Sequence, residues 1–432
     1  MKLAKQEGEV RARWAWTEAE VWTPRMLTAL ENGVKGGVWY ALIDKVWNER
    51  TLKQAWERVQ SNGGSPGMDG MTVGRFAEDS QKRLLAVKEQ IRNGNYQPRA
   101  VKRVWIDKPG SREKRPLGVP TVRDRIVQGA LRMVIEPIFE RDFAEHSYGF
   151  RPGRGCKDAL RRVEGLLKEG KNWVVDADLK GYFDSIPHGR LMEMVKRKIG
   201  DGRVIALLES YLKQGVLEGS ELSGSVEEGT PQGAVISPLL ANIYLDPLDH
   251  EMAQRGYAMV RYADDFVVQC ASREEAEGAL HDIEQWVKQA GLQLHPEKTR
   301  LVNAAEPGGF DFLGYHFERG RKTPRKKSLR KFKDLIRQRT RRTSGHSMEK
   351  IIAGLKPAMR GWFEYFKHSA RWTFPQLDGW VRGRLRSILR WRSGRRGHAR
   401  GRDTQRWSNS YFAELGYFSL EVAWRTAVSL RK

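Results

Sequence analysis

Two cysteines in 432 residues, Cys156 and Cys270, leave no room for a disulfide framework or a cysteine-rich zinc site. That scarcity fits a reducing cytosol. No apolar run is long enough to span a bilayer, and the opening MKLAKQEGEVRARWAW has no apolar core of the signal-peptide kind. The expectation is a soluble cytoplasmic protein without membrane contact. The nine histidines show no ligand spacing. His188 and His295 read as turn residues, and Cys156 reads as a small thiol without an activating partner. Acidic residues run short in one region. Residues 321–432 hold 7 Asp and Glu against 30 Lys and Arg, a net of +23 out of +24 for the chain. The first 320 residues are nearly neutral, with 46 against 47. Six of the 15 tryptophans also fall in the basic quarter, and disordered tails are poor in aromatics. A folded domain that binds a polyanion is expected there.

What is present has a mixed pattern. Residues 1–45 are dotted with tryptophan and give no assignable element. The spacing of Leu52, Ala55, Trp56 and Val59 predicts a helix over 51–64, closed by Asn-Gly-Gly. A second helix is expected over 75–92, a strand over 99–109, and a helix from 122 that ends at Pro137. NWVVDADL (172–179) and MVRYADDFVVQC (259–270) read as strands, and 273–291 as a helix stopped by Gly291. Strands alternating with helices imply a mixed α/β core. Beyond residue 320 the pattern is almost wholly helical and basic.

Carboxylates inside apolar strands are expensive unless they find a partner, shift their pKa or bind metal. The strand period places Asp176 and Asp178 on one face, opposite Val175, Ala177 and Leu179. Asp264 and Asp265 fall at the tip of a predicted hairpin. If the hairpin lies beside the 174–179 strand, three carboxylates converge, and such crowding needs cations between them. Carboxylate oxygens with a phosphate substrate suit Mg²⁺. Two such ions about 3.5–4 Å apart activate an attacking hydroxyl and stabilise a leaving oxygen. Taken singly, an Asp-Asp pair is an ordinary turn and a D-x-D an exposed strand face. Together they favour a metal site.

The blocks around these residues resemble those of the reverse transcriptases encoded by bacterial group II introns, in a form lacking the endonuclease. YADD between apolar strands is preceded by GTPQGAVISPLLANIYLDPLD (229–249) and VVDADLKGYFDSIPH (174–188). SNGGSPGMDGMT, KPGSREKRPLGVPTVRDRIVQGAL, HSYGFRPGRGCKDAL, GLQLHPEKT and FDFLGYHF follow the family's order. The resemblance covers residues 50–320 densely. It implies an α+β fold, a right-hand polymerase with fingers and palm built on antiparallel sheet, followed by an all-α basic thumb or maturase domain. It assigns Asp178, Asp264 and Asp265 as catalytic ligands of two Mg²⁺ ions, with Mn²⁺ as a substitute, and Asp176 as a neighbour of that set. Phe183, five residues after Asp178, corresponds to the aromatic gate that excludes a 2′-hydroxyl. Lys108 and Arg115 would hold the triphosphate, and Gln232 and Gly233 would line the nucleotide pocket. Lys298 would assist proton transfer to pyrophosphate. Phe312, Leu313, Gly314 and Tyr315 would support the primer end. On their own residue patterns these positions read as core, solvated face, turn or helix start.

In the basic quarter, 328–342, 348–369 and 375–392 each place an apolar stripe on one helical face and cations around the rest. LKPAMRGWFEYFKHS and LDGWVRGRLR resemble the family's thumb or maturase domain. The expected organisation is an N-terminal extension (1–45), fingers and palm (46–320), a helical thumb/maturase domain (321–395) and a basic C-terminal segment (396–432). The expected partners are an RNA template, a DNA or RNA primer, deoxynucleoside triphosphates and structured group II intron RNA, with the oligomeric state left open. No cysteine follows 270, so a Cys-bearing endonuclease is not expected, and mobility would depend on other primers. The reading is an RNA-directed DNA polymerase that also assists intron splicing and retromobility. Its alternatives are a domesticated retron or defence reverse transcriptase, a polymerase-inactive splicing factor, and, less supported, a two-metal nuclease.

Overall fold

The computed structural model describes residues 2–107, 114–224, 227–395, 397 and 401–429. Its chain divides into two compact units, residues 1–301 and 302–432.

The first unit carries one four-stranded sheet and all but the end of another. One has the order β2-β1-β4-β5, formed by β1 (Val101–Asp107), β2 (Lys114–Val119), β4 (Val216–Glu218) and β5 (Glu221–Ser223). β1 and β2 form an antiparallel hairpin, whereas β1 pairs β4 in parallel. The other has the order β6-β7-β3-β8, from β3 (Trp173–Asp178), β6 (Ala258–Tyr262), β7 (Asp265–Cys270) and β8 (Arg300–Asn303). Val174, Val175 and Ala177 of β3 are buried while Asp176 and Asp178 stay half-buried, so the strand parity predicted for the acidic pair holds.

Helices cover that sheet as their patterns require. Helix Arg273–Gln289 buries Ala276, Ala279, Ile283 and Val287, one face of a 3.6-residue period. Its Ser272 cap accepts the Glu275 N–H. Helix Ser237–Gln254 is buried along nearly its whole length, which hides its amphipathic signal. The predicted 75–92 helix is two pieces, Val73–Glu78 and Ser80–Arg92, broken at Asp79.

The helix from Val122 does not stop at Pro137 but runs to Glu140. Proline there cannot donate to the carbonyl four residues back, at Met133, and leaves it orphaned. The fully buried indole of Trp22 donates to that same carbonyl at 3.1 Å. The unassignable N-terminal segment therefore supplies what the proline lacks, and residues 14–46 contribute to the main core.

A second tie fixes the same segment. Asp201, buried, accepts from the backbone N–H of Leu42 (2.6 Å), Ile43 (2.8 Å), Arg203 (3.0 Å) and Val204 (3.2 Å). Burial alone pushes its carboxyl up, but the four N–H groups outweigh burial and hold it below the usual range. Asp201 thus stabilises the fold fully above the unfolded carboxyl pKa of about 3.9, and loses that contribution as pH falls through its lower folded value. Asp201→Ala is expected to lower unfolding stability by about 1–3 kcal/mol at pH 7. Urea unfolding at pH 7 and pH 3 checks this, the deficit shrinking at the lower pH.

The second unit joins a three-stranded antiparallel sheet, β9 (Phe310–Phe312), β10 (Tyr315–Glu318) and β11 (Arg321–Pro324), to helices Lys326–Arg339, Met348–Phe366 and Thr373–Arg392. The division after Leu301 comes earlier than the boundary expected at 320. The aromatic residues of β9–β11 pack on the helices of this unit, with Tyr315 against Tyr365 and Phe366. The three helices bury the stripes read from sequence, including Phe332, Ile336, Ile352, Leu355, Val381 and Leu385. The C-terminal segment is folded onto them. Trp407, Phe412, Tyr417 and Leu420 are buried, and Asp378 accepts from the backbone N–H of Leu420 and Glu421 at the start of helix Leu420–Ser429.

Candidate active site

β7 pairs β3 antiparallel with Asp178 directly opposite Asp265 and Asp176 opposite Val267. Directly opposed residues project from the same face, so Asp178 and Asp265 share one side of the sheet. β6 and β7 close through the two residues Ala263 and Asp264, since Tyr262 pairs Asp265. Two segments about 85 residues apart in sequence therefore meet, with Asp178 opposite Asp265 and Asp264 in the adjoining turn.

The electrostatics follow from that crowding. Burial pushes the Asp264 carboxyl above its ordinary range, and the charge of Asp178 adds to the rise. Its own backbone N–H and the cations Arg115 and Arg261 oppose it. Asp178 Oδ2 receives Lys298 Nζ at 2.6 Å, and the Asp178 backbone carbonyl accepts the His295 N–H at 2.7 Å. The segment GLQLHPEKT thus lies along the end of β3. Asp176 is paired with Arg300 at 3.0 Å. The Tyr262 phenol is pushed up to about 12 by burial and by the neighbouring Cys156 thiol.

Among the described residues no group of three His, Cys, Asp or Glu side chains is already arranged as a metal cage. Mg²⁺ does not need one. It keeps octahedral oxygen coordination by combining one or two carboxylates with water and substrate phosphates. Asp178 and Asp264 provide hard oxygen donors from a strand end and the adjoining turn, and the Asp264 carboxyl is raised chiefly by burial, with the charge of Asp178 adding to it. The residues fit a divalent ion that arrives with a phosphate substrate.

A second cluster faces these carboxylates from the loop after Gly229. Arg115 of β2 donates to Gln232 Oε1 at 2.6 Å, and Gln232 Nε2 donates to Asp184 Oδ2 at 3.3 Å. Arg115 also lies within electrostatic reach of Asp264. Phe183 is buried beside Tyr182, and its carbonyl accepts the Thr230 N–H at 2.6 Å. His188, read from sequence as a turn residue, is buried, and its Nε2 shares a 2.6 Å hydrogen bond with the Gly229 carbonyl. Gly233, at φ +109°, lies against protein: a Cβ there would stand 2.7 Å from the Gly118 carbonyl and 2.8 Å from Leu117. Its close approach is to β2, which gives the glycine a packing reason that the sequence did not suggest.

Asp178, Asp264, Asp265, Phe183, Arg115, Gln232, Gly233 and Lys298 all belong to the first unit. Lys108 lies outside the described residues. Residues 312–315 lie in the second unit as a tight hairpin whose two turn residues, Leu313 (φ 45°) and Gly314 (φ 85°), both have positive φ. Phe312 and Tyr315 are buried in that unit's own packing. The turn is held by Tyr365 Oη donating to the Leu313 carbonyl and Ser328 Oγ donating to that of Gly314. The side chains of Phe312 and Tyr315 are thus committed to packing, and the turn residues Leu313 and Gly314 are half-buried.

Sequence reasoning missed Arg261. It stands in the quoted motif, yet an arginine inside an apolar strand gives no hint of its partners until the helix carrying them is placed.

The model of the family described as reverse transcriptase (RNA-dependent DNA polymerase) matches residues 106–317, and that of the group II intron, maturase-specific domain matches residues 329–407. Protein YkfC of Escherichia coli (strain K12) is 36% identical over 302 residues, covering 60% of this chain and 77% of that protein. The group II intron-encoded protein LtrA of Lactococcus lactis subsp. cremoris is 38% identical over 202 residues, covering 46% of this chain and 33% of LtrA. The chain therefore spans most of the first relative and a third of the second. A solved partial Cas6-RT-Cas1–Cas2 complex is 26% identical over 57% of this chain and 41% of that one, with a TM-score of 0.38, too low to bear on the fold.

Proposed function

Because the chain belongs to the reverse transcriptase family and carries a group II intron maturase-specific domain, we propose that it is an RNA-directed DNA polymerase that also binds its intron RNA and assists splicing and retromobility. The observation that carries the polymerase part is the register placing Asp178 opposite the Asp264–Asp265 turn. Asp178, Asp264 and Asp265 would hold two Mg²⁺ ions, or Mn²⁺ in their place, which when bound supply the charge that activates a primer hydroxyl and stabilises the leaving pyrophosphate.

The remaining work falls to side chains of the first unit. Arg115, held by Gln232, and Lys108 offset the charge that develops on the transferring phosphate. Lys298, which donates to Asp178 at 2.6 Å, would give a proton to the departing pyrophosphate. Phe183 presents a fixed ring to the sugar of the incoming nucleotide. Phe183→Val is expected to raise ribonucleotide incorporation relative to deoxynucleotide by about 10²-fold, since removing a wall relaxes a steric rejection worth roughly 1–3 kcal/mol. Competitive single-nucleotide additions measure that ratio.

RNA binding is assigned mainly to the second unit. Lys327, Arg330, Lys331, Arg337 and Arg360 are exposed on its helices, and Arg339, Arg341, His346 and Lys350 line a shallow cavity. Such a surface suits phosphates of a template–primer hybrid and of structured RNA. The RNA template, the DNA or RNA primer, deoxynucleoside triphosphates and intron RNA are its proposed partners. A bacterial cytoplasm is its proposed location, and no described helix is long and apolar enough to cross a membrane. Primer extension on an RNA template with Mg²⁺, and splicing of a precursor RNA with the protein added, test the two halves. Splicing without extension would favour a polymerase-inactive maturase, and extension without splicing a domesticated reverse transcriptase.

A further inference from the structure

Arg261 precedes the acidic turn by two residues and is only 1% exposed. A buried guanidinium is destabilising unless its donors are matched. Its Nε donates to both oxygens of Asp249, at 2.8 and 2.9 Å. Its Nη1 donates to Asn242 Oδ1 at 3.0 Å and to the Ala263 carbonyl at 2.9 Å. Asn242 and Asp249 are seven residues apart on helix Ser237–Gln254, two turns, and so lie on one face.

The same cluster reaches the other side of the turn. Asn242 Nδ2 donates to the Gly149 carbonyl at 2.8 Å. Gly149 lies so close upon the Ala263 amide that a side chain there would collide with backbone. The neighbouring backbone adds two bonds, Tyr148 N–H to the Arg261 carbonyl (2.9 Å) and Arg261 N–H to that of His146 (3.0 Å). A second buried guanidinium, Arg151, fixes this loop by pairing with Glu140 at 2.8 Å and donating to the Ser147 carbonyl at 2.8 Å.

Ala263 takes φ 59° at the first position of a two-residue turn, where glycine is the usual occupant. A residue with a Cβ stays in such a conformation only when its surroundings over-determine it. We infer that Arg261, acting with Asp249 and Asn242, is a positioning device that holds the Ala263–Asp264 turn in its strained conformation and so sets where the Asp264 carboxylate stands relative to Asp178. The inference rests on the polymerase reading, and it extends that reading from the carboxylates to what aims them. An apolar pair can replace the ion pair's packing, but it cannot donate to the Ala263 carbonyl or to Asn242.

That distinction supplies the test. Arg261→Met/Asp249→Leu replaces the pair by apolar groups of similar volume, a change often neutral for stability. The parent and double variant are compared by thermal unfolding, by single-nucleotide addition on a DNA-primed RNA template across Mg²⁺ concentrations, and by Mn²⁺ binding in electron paramagnetic resonance. The double variant is expected to unfold close to the parent and to keep its KM for deoxynucleotide within about threefold. Its maximal rate is expected to fall about a hundredfold, the size of effect that a displacement near 1 Å produces. Its half-saturating Mg²⁺ and its Mn²⁺ dissociation constant should both rise about tenfold. Asn242→Ala leaves the charge pair intact and should move both metal quantities in the same direction, by about threefold or more. A folded double variant with the parent's rate and metal requirement overturns the inference. If the double variant does not fold, an unchanged metal requirement in Asn242→Ala overturns it. A parent that adds no nucleotide counts against the polymerase reading instead, and Mn²⁺ binding then still decides the positioning claim.

Discussion

Asp264→Ala is expected to abolish DNA synthesis while leaving RNA affinity within about twofold of the parent. Asp264 sits in the two-residue turn between β6 and β7, beside the Asp178–Asp265 pair. Its carboxyl is raised first by burial and further by Asp178, so two negative charges already oppose each other there. Removing one donor removes a large part of whatever holds a divalent ion. A loss of about 10³-fold or more in nucleotide addition follows, roughly 4 kcal/mol at 1.36 kcal/mol per factor of ten. RNA affinity has a different source, because residues 321–432 carry nearly all the net charge. Filter binding and primer extension on the same preparation separate the two readouts. Equal loss of both would contradict the division between a near-neutral catalytic unit and a basic binding unit.

RNA affinity is expected to fall steeply with salt. A surface that neutralises six to ten phosphates releases their counterions on binding and loses roughly 10³–10⁵ in affinity between 50 and 200 mM salt. The second unit exposes ten cations on its three main helices, and few carboxylates compete with them. Replacing Arg330 and Lys331 by glutamine should reduce the slope of log affinity against log salt by about two, one for each lost phosphate contact. Fluorescence anisotropy over a salt series checks this. A flat response would mean that the basic surface does not meet phosphate.

The acidic site was legible in the sequence because two simple periods fixed it. Alternation put Asp176 and Asp178 on one face of β3, and an acidic pair between apolar runs put Asp264 and Asp265 at a hairpin tip. The finer division of that face was not legible. Asp176 and Asp178 share a parity, and only the placement of Arg300 and Lys298 separates them. The N-terminal segment gave no signal because its role is long-range: Trp22 answers a carbonyl that Pro137 orphans 115 residues later. The helix Ser237–Gln254 hides its orientation by being buried on nearly all sides, so the clustering of Asn242 and Asp249 on Arg261 could not be foreseen. The packing reason for Gly233 was not legible, because what stands close to it is the carbonyl of Gly118 on a strand far away in sequence. The FLGY block announced its turn correctly, whereas the commitment of Phe312 and Tyr315 to packing emerges only from the aromatic residues of helix Met348–Phe366.

A double-mutant cycle on the carboxylates probes the arrangement at its root. Asp178→Asn, Asp264→Asn and the pair are compared with the parent in the rate of a single deoxynucleotide addition to a DNA primer on an RNA template. If both side chains act as one unit, each single variant is as defective as the double within about threefold. A variant at Asp178 that still extends the primer at the parent rate, or losses that simply multiply, would show that the two strands do not share one reaction centre.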